Sequence, residues 1–580
     1  MAQTASVIRM PDQGDLELRR HGEGRMIGLR TNRYSWWTHW RELADYFLPR
    51  RYKWLITPNQ MARGSPINQH IIDITGTLAA RNLASGIMFG VTDPARPWFG
   101  LKVDRIDSTQ TSPVSLWLAE VERLMFMVMA ESNFYTSLAV LYYDLVVFGT
   151  GVMLIYEDFD KVIRCFNPCA GEYYLENSDG FRVDSLYREF TLTVSQGAQR
   201  FGRENLSPAL QQLYLQGGAS LTREFVCAHA VEPNDDGRKF GVPSHFKYRE
   251  YYWEWGGSAS PQGGSSYAPG LLRKGGFHEA PFAIPRWDLV ANDAYGRSPA
   301  MDALGDVKQL QVETRRKAQA IDKLVNPPLV ADIQMKNQPA SLLPGGITYI
   351  PGMISNQRPG MAPVYTVAPP LKEITEDLQD VRERIKETFF NHLFMTISQY
   401  ETRSNVSATE IDARRAESMV MLGPVLTRVN EELLQVAIDR IFNIMARSNI
   451  LPPPPPEIQG RQIDVEFVSM LENAQNAARA SGIERLFAIG GQVAAIDPAA
   501  IDNIDIDFGL DEYSALLRND PRIIRSPDQL QTIRQGRQQQ QEQQQRQQQA
   551  LAMAKSMKDA AGAAAQMPQG QGGPGGPQGG

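Results

Sequence analysis

Three cysteines and one histidine are the residues of this chain whose types come closest to a metal site. Cys165 and Cys169 have three residues between them, and Cys227-Ala228-His229 adds a third thiol and an imidazole. Converging, they would make a tetrahedral zinc set. Taken singly, they are the small buried apolar residues that free cysteines usually are, and no metal or cofactor is expected. The carboxylates Asp502, Asp505, Asp507, Asp511 and Glu512 raise a second possibility, a two-metal nuclease site. They alternate with Ile504, Ile506 and Phe508, and a solvated strand edge running into a helix cap accounts for them equally. The other histidines (His21, His39, His70, His245, His278 and His392) are scattered without a partner pattern. The sequence has no G-x-x-x-x-G-K-[ST] loop to hold a nucleotide's phosphates and no G-x-S-x-G elbow. No catalytic residue is assigned and no enzyme is expected.

Composition narrows the class. The chain has 580 residues, 42% hydrophobic and 21% charged, with a formal net charge of −6. That length supports several hydrophobic cores, and that balance is globular. A net negative charge argues against a surface that coats DNA by releasing counterions, yet it suits a wall past which DNA slides. Three cysteines are too few for a disulfide framework and point to a reducing compartment. Met1 to Asp15 reads as no signal peptide. The most apolar run, Leu138 to Ile155, is interrupted by Tyr142, Tyr143, Asp144, Gly149 and Gly151, so no membrane span is expected.

The elements that would position any function are mostly helical. Residues 1–23 read as a loose arm. Met26 to Phe47 reads as an aromatic-rich helix, and 66–90 as another, followed by a turn at Asp93-Pro94 and an extended Trp98 to Val103. Helices over about Ser115–Met129 and Tyr135–Val147 precede strands at Val152–Glu157, Val162–Phe166, Glu172–Glu176 and Val183–Leu192. Gly256 to Gly276 is a Gly/Ser/Pro loop. Ser298-Pro299, a hydroxyl N-cap with proline in the first turn, opens a helix of about 28 residues and roughly 42 Å, stopped by Asn326-Pro327-Pro328. Its apolar side carries Met301, Leu304, Val307, Leu310, Ile321 and Leu324. Its basic side carries Lys308, Arg315, Arg316, Lys317 and Lys323. A Pro/Gly-rich insert with β-like pieces at Leu329–Ile333 and Gly346–Ile350 follows. The next helix bears Leu371, Ile374, Leu378, Val381, Ile385, Phe389 and Leu393 on one stripe. Acids Glu373, Glu376, Asp377 and Asp380 lie near its start, where the helix dipole favours them. Ser407-Ala408-Thr409-Glu410 is a capping box opening a third helix that runs to Leu451-Pro452, with a kink expected at Gly423-Pro424. Five prolines from Pro452 make a stiff spacer. The Gln-rich stretch 529–549 reads as helix, and the Gly/Pro/Gln end as disorder.

The order of these pieces carries a resemblance. Tyr295-Gly296-Arg297-Ser298-Pro299-Ala300, Asn326-Pro327-Pro328-Leu329, Ser407-Ala408-Thr409-Glu410 and Leu422-Gly423-Pro424-Val425-Leu426 resemble the podovirus-type head-to-tail connector, the portal protein family of short-tailed bacteriophages. Leu83-Ala84-Ser85-Gly86-Ile87-Met88, Asp93-Pro94-Ala95-Arg96-Pro97-Trp98-Phe99 and Phe148-Gly149-Thr150-Gly151 resemble it too. The likeness covers roughly residues 24–535.

The resemblance implies an α+β, mostly helical subunit of a ring, twelve-fold in the family. Beyond the arm, its parts would be a wing (24–297), a first stem helix (298–325), a clip (326–370) and a second stem helix (371–396). A tunnel loop (397–406), a long kinked helix with inner wing (407–451), a wing return with crown (452–528) and a C-terminal tail (529–580) would follow. It implies a conduit for double-stranded DNA at one capsid vertex of the virion, assembled in the host cytoplasm. Partners would be the terminase large subunit, tail adaptor proteins, and the major capsid and scaffolding proteins. Tyr400, Arg403 and Asn405 of the tunnel loop would face DNA; an ordinary polar connection between helices explains the same residues. The basic residues of the first stem helix would line the bore or meet acids of the next subunit. A tail adaptor or other structural virion protein, or a metal-dependent DNA-processing enzyme, are the alternative readings.

Overall fold

The computed structural model describes residues 13–49, 51, 70–103, 113–235, 240–255, 270–325, 329–331, 361–363, 370–392, 422–458, 463–467, 470–494, 504–517, 523–525 and 527–564. The chain divides into two units. One contains residues 1–102, 121–452 and 464–475, the other 103–120, 453–463 and 476–580.

In the first unit the aromatic-rich strand sequences build an antiparallel sheet. Its strands are β4 (Tyr173–Asn177), β5 (Val183–Thr193), β6 (Glu224–Pro233), β7 (Tyr248–Glu254) and β8 (Arg273–Phe277), neighbours in that order. Side chains alternate between faces, and here both faces are covered. On one face Tyr187, Ala230, Tyr251 and Trp253 pack against Leu18, Met26 and Leu29 of helix α1 (Gln13–Asn32). On the other, Phe190, Cys227 and Tyr252 meet Val194 and Phe201 of α6 (Val194–Phe201) and Leu210 of α7 (Pro208–Gln216). Helix α6 starts in a complete capping box between Thr193 and Gln196.

Helix α1 corrects the expectation of a loose arm over residues 1–23, since the chain is helical from Gln13. Its polar composition hid it. Arg19 is buried, and its guanidinium donates to the carbonyls of Glu254 and Gly270 at 3.2 and 3.3 Å, so a charged residue occupies an inward position. The single helix expected over Met26–Phe47 is two, α1 and α2 (Tyr34–Phe47), meeting at Arg33.

The remaining early elements are α3 (Thr75–Val91), β1 (Phe99–Val103), α4 (Pro113–Glu131) and α5 (Phe134–Phe148). Strands β2 (Met153–Asp158), β3 (Val162–Phe166) and β9 (Phe282–Ala283) form a second antiparallel sheet in the order β3-β2-β9. No single helix among the described residues is long and apolar enough to cross a membrane. The bent pair α4 and α5 passes by length and composition only together, and α5 buries ten of its fifteen residues in the protein core.

In the second unit, α13 (Ile506–Leu516) and α14 (Pro527–Ala564) are described, α14 being a 38-residue helix whose described side chains are exposed almost throughout. The first unit also contains α8 (Pro299–Val325), β10 (Leu329–Ala331), β11 (Met361–Pro363), α9 (Leu371–Thr388), α10 (Gly423–Val429) and α11 (Gln435–Arg447), and the residues of β12 (Ile463–Phe467) and α12 (Met470–Ala494) are divided between the two units. Of the insert 326–370, Leu329–Ala331 pairs antiparallel with Met361–Pro363. The β-like piece at Gly346–Ile350 lies outside the described residues.

Candidate functional site

Helices α8 and α9 form an antiparallel pair, with Lys317 Nζ donating to Thr375 Oγ1 at 2.7 Å and Arg384 Nη2 to Asp306 at 3.3 Å. The apolar stripe of α9 is buried at Leu378, Val381 and Ile385, and continues to Phe389 against Phe47. Along α8 the stripe splits. Leu304, Val307 and Leu310 are buried, whereas Ile321, Leu324 and Val325 stay 41%, 48% and 69% exposed. Beyond Gln311 no residue of the helix is fully buried, and its apolar residues there are only partly covered.

The root of the pair is held by polar groups that the periodicity did not reveal. Asp73 accepts from Arg382 at 2.8 Å and from Thr75, and the amide of buried Gln311 bonds the backbone of Ile72 and Asp73. Burial works to raise the Asp73 pKa, but the bonds from Thr75 and Arg382 hold it below the usual carboxylate range. Gly76 of α3 sits where a Cβ would lie 2.9 Å from Val307, so α3 and α8 approach to within a glycine's width.

Where α8 begins, two of the sequence motifs meet. Ser298 Oγ accepts from the Met301 amide at 3.2 Å, as the N-cap reading requires, and donates to the Val147 carbonyl at the end of α5 at 2.8 Å. Gly149, at φ +74°, lies so near Gly296 that a Cβ would be 2.2 Å from the Gly296 carbonyl oxygen. Thr150 accepts from the Gly296 amide at 2.8 Å. The Tyr295 hydroxyl accepts from the Leu175 amide at 3.0 Å, and its ring meets Trp40 edge-on at 5.1 Å. Phe148-Gly149-Thr150-Gly151 and Tyr295-Gly296-Arg297-Ser298 are thus the two halves of one joint fixing the angle at which α8 departs.

Behind this joint, Arg286 is 1% exposed and its guanidinium binds the Glu432 carboxylate, with Nε 3.2 Å from both oxygens, while its backbone amide donates to the same carboxylate at 3.0 Å. Glu432 lies in a π turn, Asn430–Leu434, between α10 and α11. The inserted residue rotates the helix face by about 100°. This turn was not legible in the sequence, because Asn430-Glu431-Glu432-Leu433-Leu434 is ordinary helical sequence. The kink was expected at Gly423-Pro424. The structure describes a helix beginning at Gly423 with proline in its first turn, a position that spares a backbone donor. The helix expected before it, 407–421, is outside the described residues.

The basic residues of α8 separate into two groups. Lys308 pairs with Glu42 of α2, and Lys317 is engaged with Thr375. Arg315, Arg316 and Lys323 are exposed, without a carboxylate partner among the described residues. Tyr400, Arg403 and Asn405 of the tunnel loop, and all of 397–406, lie outside the described residues.

Four of the metal and nuclease candidates, His229, Cys227, Asp505 and Asp507, make other contacts, and Asp502 lies outside the described residues. His229 is fully buried, bonds Glu250 at 2.9 Å and stacks on Tyr252 with ring centroids 4.1 Å apart. Burial first, with Arg188 and Arg200 adding to it against the attraction of Glu250, lowers its pKa to about 4. Cys227 belongs to the apolar cluster beneath α6, and burial pushes its thiol and that of Cys165 up to about 12. Among the described residues no three His, Cys, Asp or Glu side chains gather as metal ligands. Asp505 accepts from the Phe508 amide at 3.0 Å, capping α13, and Asp507 pairs with Arg534 at 2.7 Å.

A family described as Bacteriophage head to tail connecting protein matches residues 19–524. Among similar proteins, the "Probable portal protein" of Bordetella phage BPP-1 is 40% identical over 514 residues, covering 88% of this chain and 89% of that protein. The "Portal protein" of Salmonella phage epsilon15 is 40% identical over 511 residues, with 88% and 89% covered. With a match over most of its length and two such relatives, the chain belongs to the bacteriophage head-to-tail connecting protein family.

Proposed function

We propose that the chain is the repeating subunit of a portal ring at one capsid vertex, through which double-stranded DNA enters and leaves the head. The observation that carries this reading is the α8/α9 pair. It is rooted in the body by a joint that admits only glycine at Gly149, and its far half leaves Ile321, Leu324 and Val325 partly exposed beside Arg315, Arg316 and Lys323. Exposed apolar residues in a row along a projecting helix find cover in identical neighbours, and a head-to-tail repeat of one interface makes a ring when its rotation closes. The name "portal protein" borne by the 40% identical relatives supports the same reading.

In it, α8 and α9 are the stem and the segment between them is the clip, which docks the terminase large subunit during packaging and tail adaptors afterwards. Arg403, with Tyr400 and Asn405, touches DNA phosphate from the tunnel loop, and the ring has twelve copies. The major capsid and scaffolding proteins surround it in the virion, and assembly takes place in the host cytoplasm. Its mechanism is geometric: helices set the bore, and no chemical step is required. Negative-stain electron microscopy of the purified protein, with its mass in solution, tests the reading. Rings with a central hole of at least about 20 Å, the scale of a DNA duplex, are expected. A protein that stays monomeric or dimeric at high concentration, even with scaffolding protein present, would overturn it.

A further inference from the structure

A cleft of about 750 Å³ opens in the first unit between the β2–β3 hairpin, the turn from α4 to α5, the end of β5 and helix α6. Its lining includes Lys161, Arg164, Arg188 and Arg200 as well as Glu131, Asp158 and Glu172. These charges do not cancel locally. Arg164 is bonded to Asp158. Arg188, 3% exposed, is held between two rings, its Cζ 4.3 Å from the Phe190 centroid and 4.8 Å from that of Phe166. The one carboxylate paired with it, Glu172, is 3.9 Å from Nε, and both Nε and Nη1 lack a hydrogen-bond partner. Arg200 lies over the same Phe190 ring at 5.7 Å and donates to the Tyr252 hydroxyl at 3.1 Å. Glu250, the carboxylate nearest that hydroxyl, is already bonded to His229 and Tyr252.

Two guanidinium groups on one aromatic ring, neither hydrogen-bonded to a carboxylate, make a cationic floor. A buried cation whose N–H groups lack hydrogen-bond partners is costly, and an anion in the cleft reduces that cost. The walls around the floor include Ile163, Leu192 and Phe166, the last 43% exposed. The volume is that of a small-molecule site. A phosphate spreads its charge over several acceptor oxygens and meets two guanidinium groups at once, while a flat apolar body fits against the exposed Phe166 ring. We propose that this cleft binds a phosphate monoester carried on an aromatic body, the phosphate answering Arg188 and Arg200 and the body lying on Phe166.

Calorimetric titration of the intact protein at constant ionic strength tests this with three probes: inorganic phosphate, adenosine 5′-monophosphate and adenosine. The two phosphates are expected to bind saturably and compete, the monophosphate about tenfold tighter, and adenosine to show no saturation. Arg188 is buried and its loss threatens folding, so the variants are Arg200→Gln and the exposed Lys161→Gln, with circular dichroism to confirm the fold. About a tenfold weakening is expected for Arg200→Gln and about threefold for Lys161→Gln. No saturable binding of either phosphate, or affinities unchanged in both variants, overturns the proposal. A short 5′-phosphorylated duplex separates the sources. If it displaces the bound monophosphate, the cleft takes a DNA end; if it does not, the cleft takes a free nucleotide.

Discussion

Replacing Glu432 with Gln keeps the shape of the side chain and removes one charge from behind the joint that aims α8. The native carboxylate receives the Arg286 backbone amide and the guanidinium on both its oxygens, and Arg286 is 1% exposed. Arg286 also donates to the Phe181 carbonyl at 2.9 Å and the Asn177 side chain at 3.2 Å, so it cannot swing out to solvent without breaking these bonds. The glutamine has a single acceptor and brings an NH₂ group towards guanidinium donors. A buried cation left uncompensated costs roughly 3–5 kcal/mol, and the amide recovers part of one hydrogen bond, so a loss of about 3 kcal/mol is expected. Urea unfolding followed by tryptophan fluorescence measures it, with Arg286→Met and the double variant completing a cycle. Because the interaction can be lost only once, the double variant should cost about as much as the worse single, with a coupling of about 2–3 kcal/mol. A loss below about 1 kcal/mol for Glu432→Gln, or strictly additive singles, would refute the claim that this pair holds the joint.

Other substitutions probe other links. Gly149→Ala forces a side chain into a left-handed conformation and against the Gly296 carbonyl, so a loss of more than about 2 kcal/mol, seen as insoluble or proteolysed protein, is expected. Ile321→Asp with Leu324→Asp should leave the monomer folded by circular dichroism and abolish rings in micrographs. Each of these side chains, 41% and 48% exposed, contributes about 1 kcal/mol when a neighbour covers the remainder. The Glu232 carboxyl is bonded by Arg249 at 2.7 Å and by Tyr251 at 2.8 Å. Burial opposes ionisation, but His21, Arg249 and Tyr187 bring its pKa down to about 2 from 4.5. With the folded value depressed, its contribution is present above pH 4.5 and lost as pH falls towards 2, about 3 kcal/mol in all; Glu232→Gln should flatten the acid limb of the stability curve in that window. His229, buried and neutral, acts at higher pH. The unfolded chain takes its proton below 6.5 and the folded one only near 4, so stability should decline through that interval in the wild type and not in His229→Phe.

Much of the framework was legible because it rests on local rules. The N-cap at Ser298-Pro299, the strands β2 to β5 and the stripe on α9 follow from side-chain period and capping chemistry, which depend on neighbours a few residues away. The family likeness was readable for the same reason: short motifs in a fixed order. Helix α1 was not legible, because its inward Arg19 is satisfied by carbonyls more than 230 residues away. Neither was the π turn at Asn430–Leu434, whose reason is the Arg286 guanidinium arriving from another segment.

The sequence alone supplied part of the inventory: many of the helices and the strands β2 to β5, the lack of a phosphate-binding loop motif, and the family that the order of motifs resembles. Which residues meet was settled by the folded arrangement. It made one joint of two glycine motifs almost 150 residues apart, committed His229 to Glu250 instead of to a metal, and set Arg188 and Arg200 on a single phenylalanine ring. Local propensity acts over a few residues, whereas charge pairing and close backbone approach depend on distances that exist only once the chain has folded.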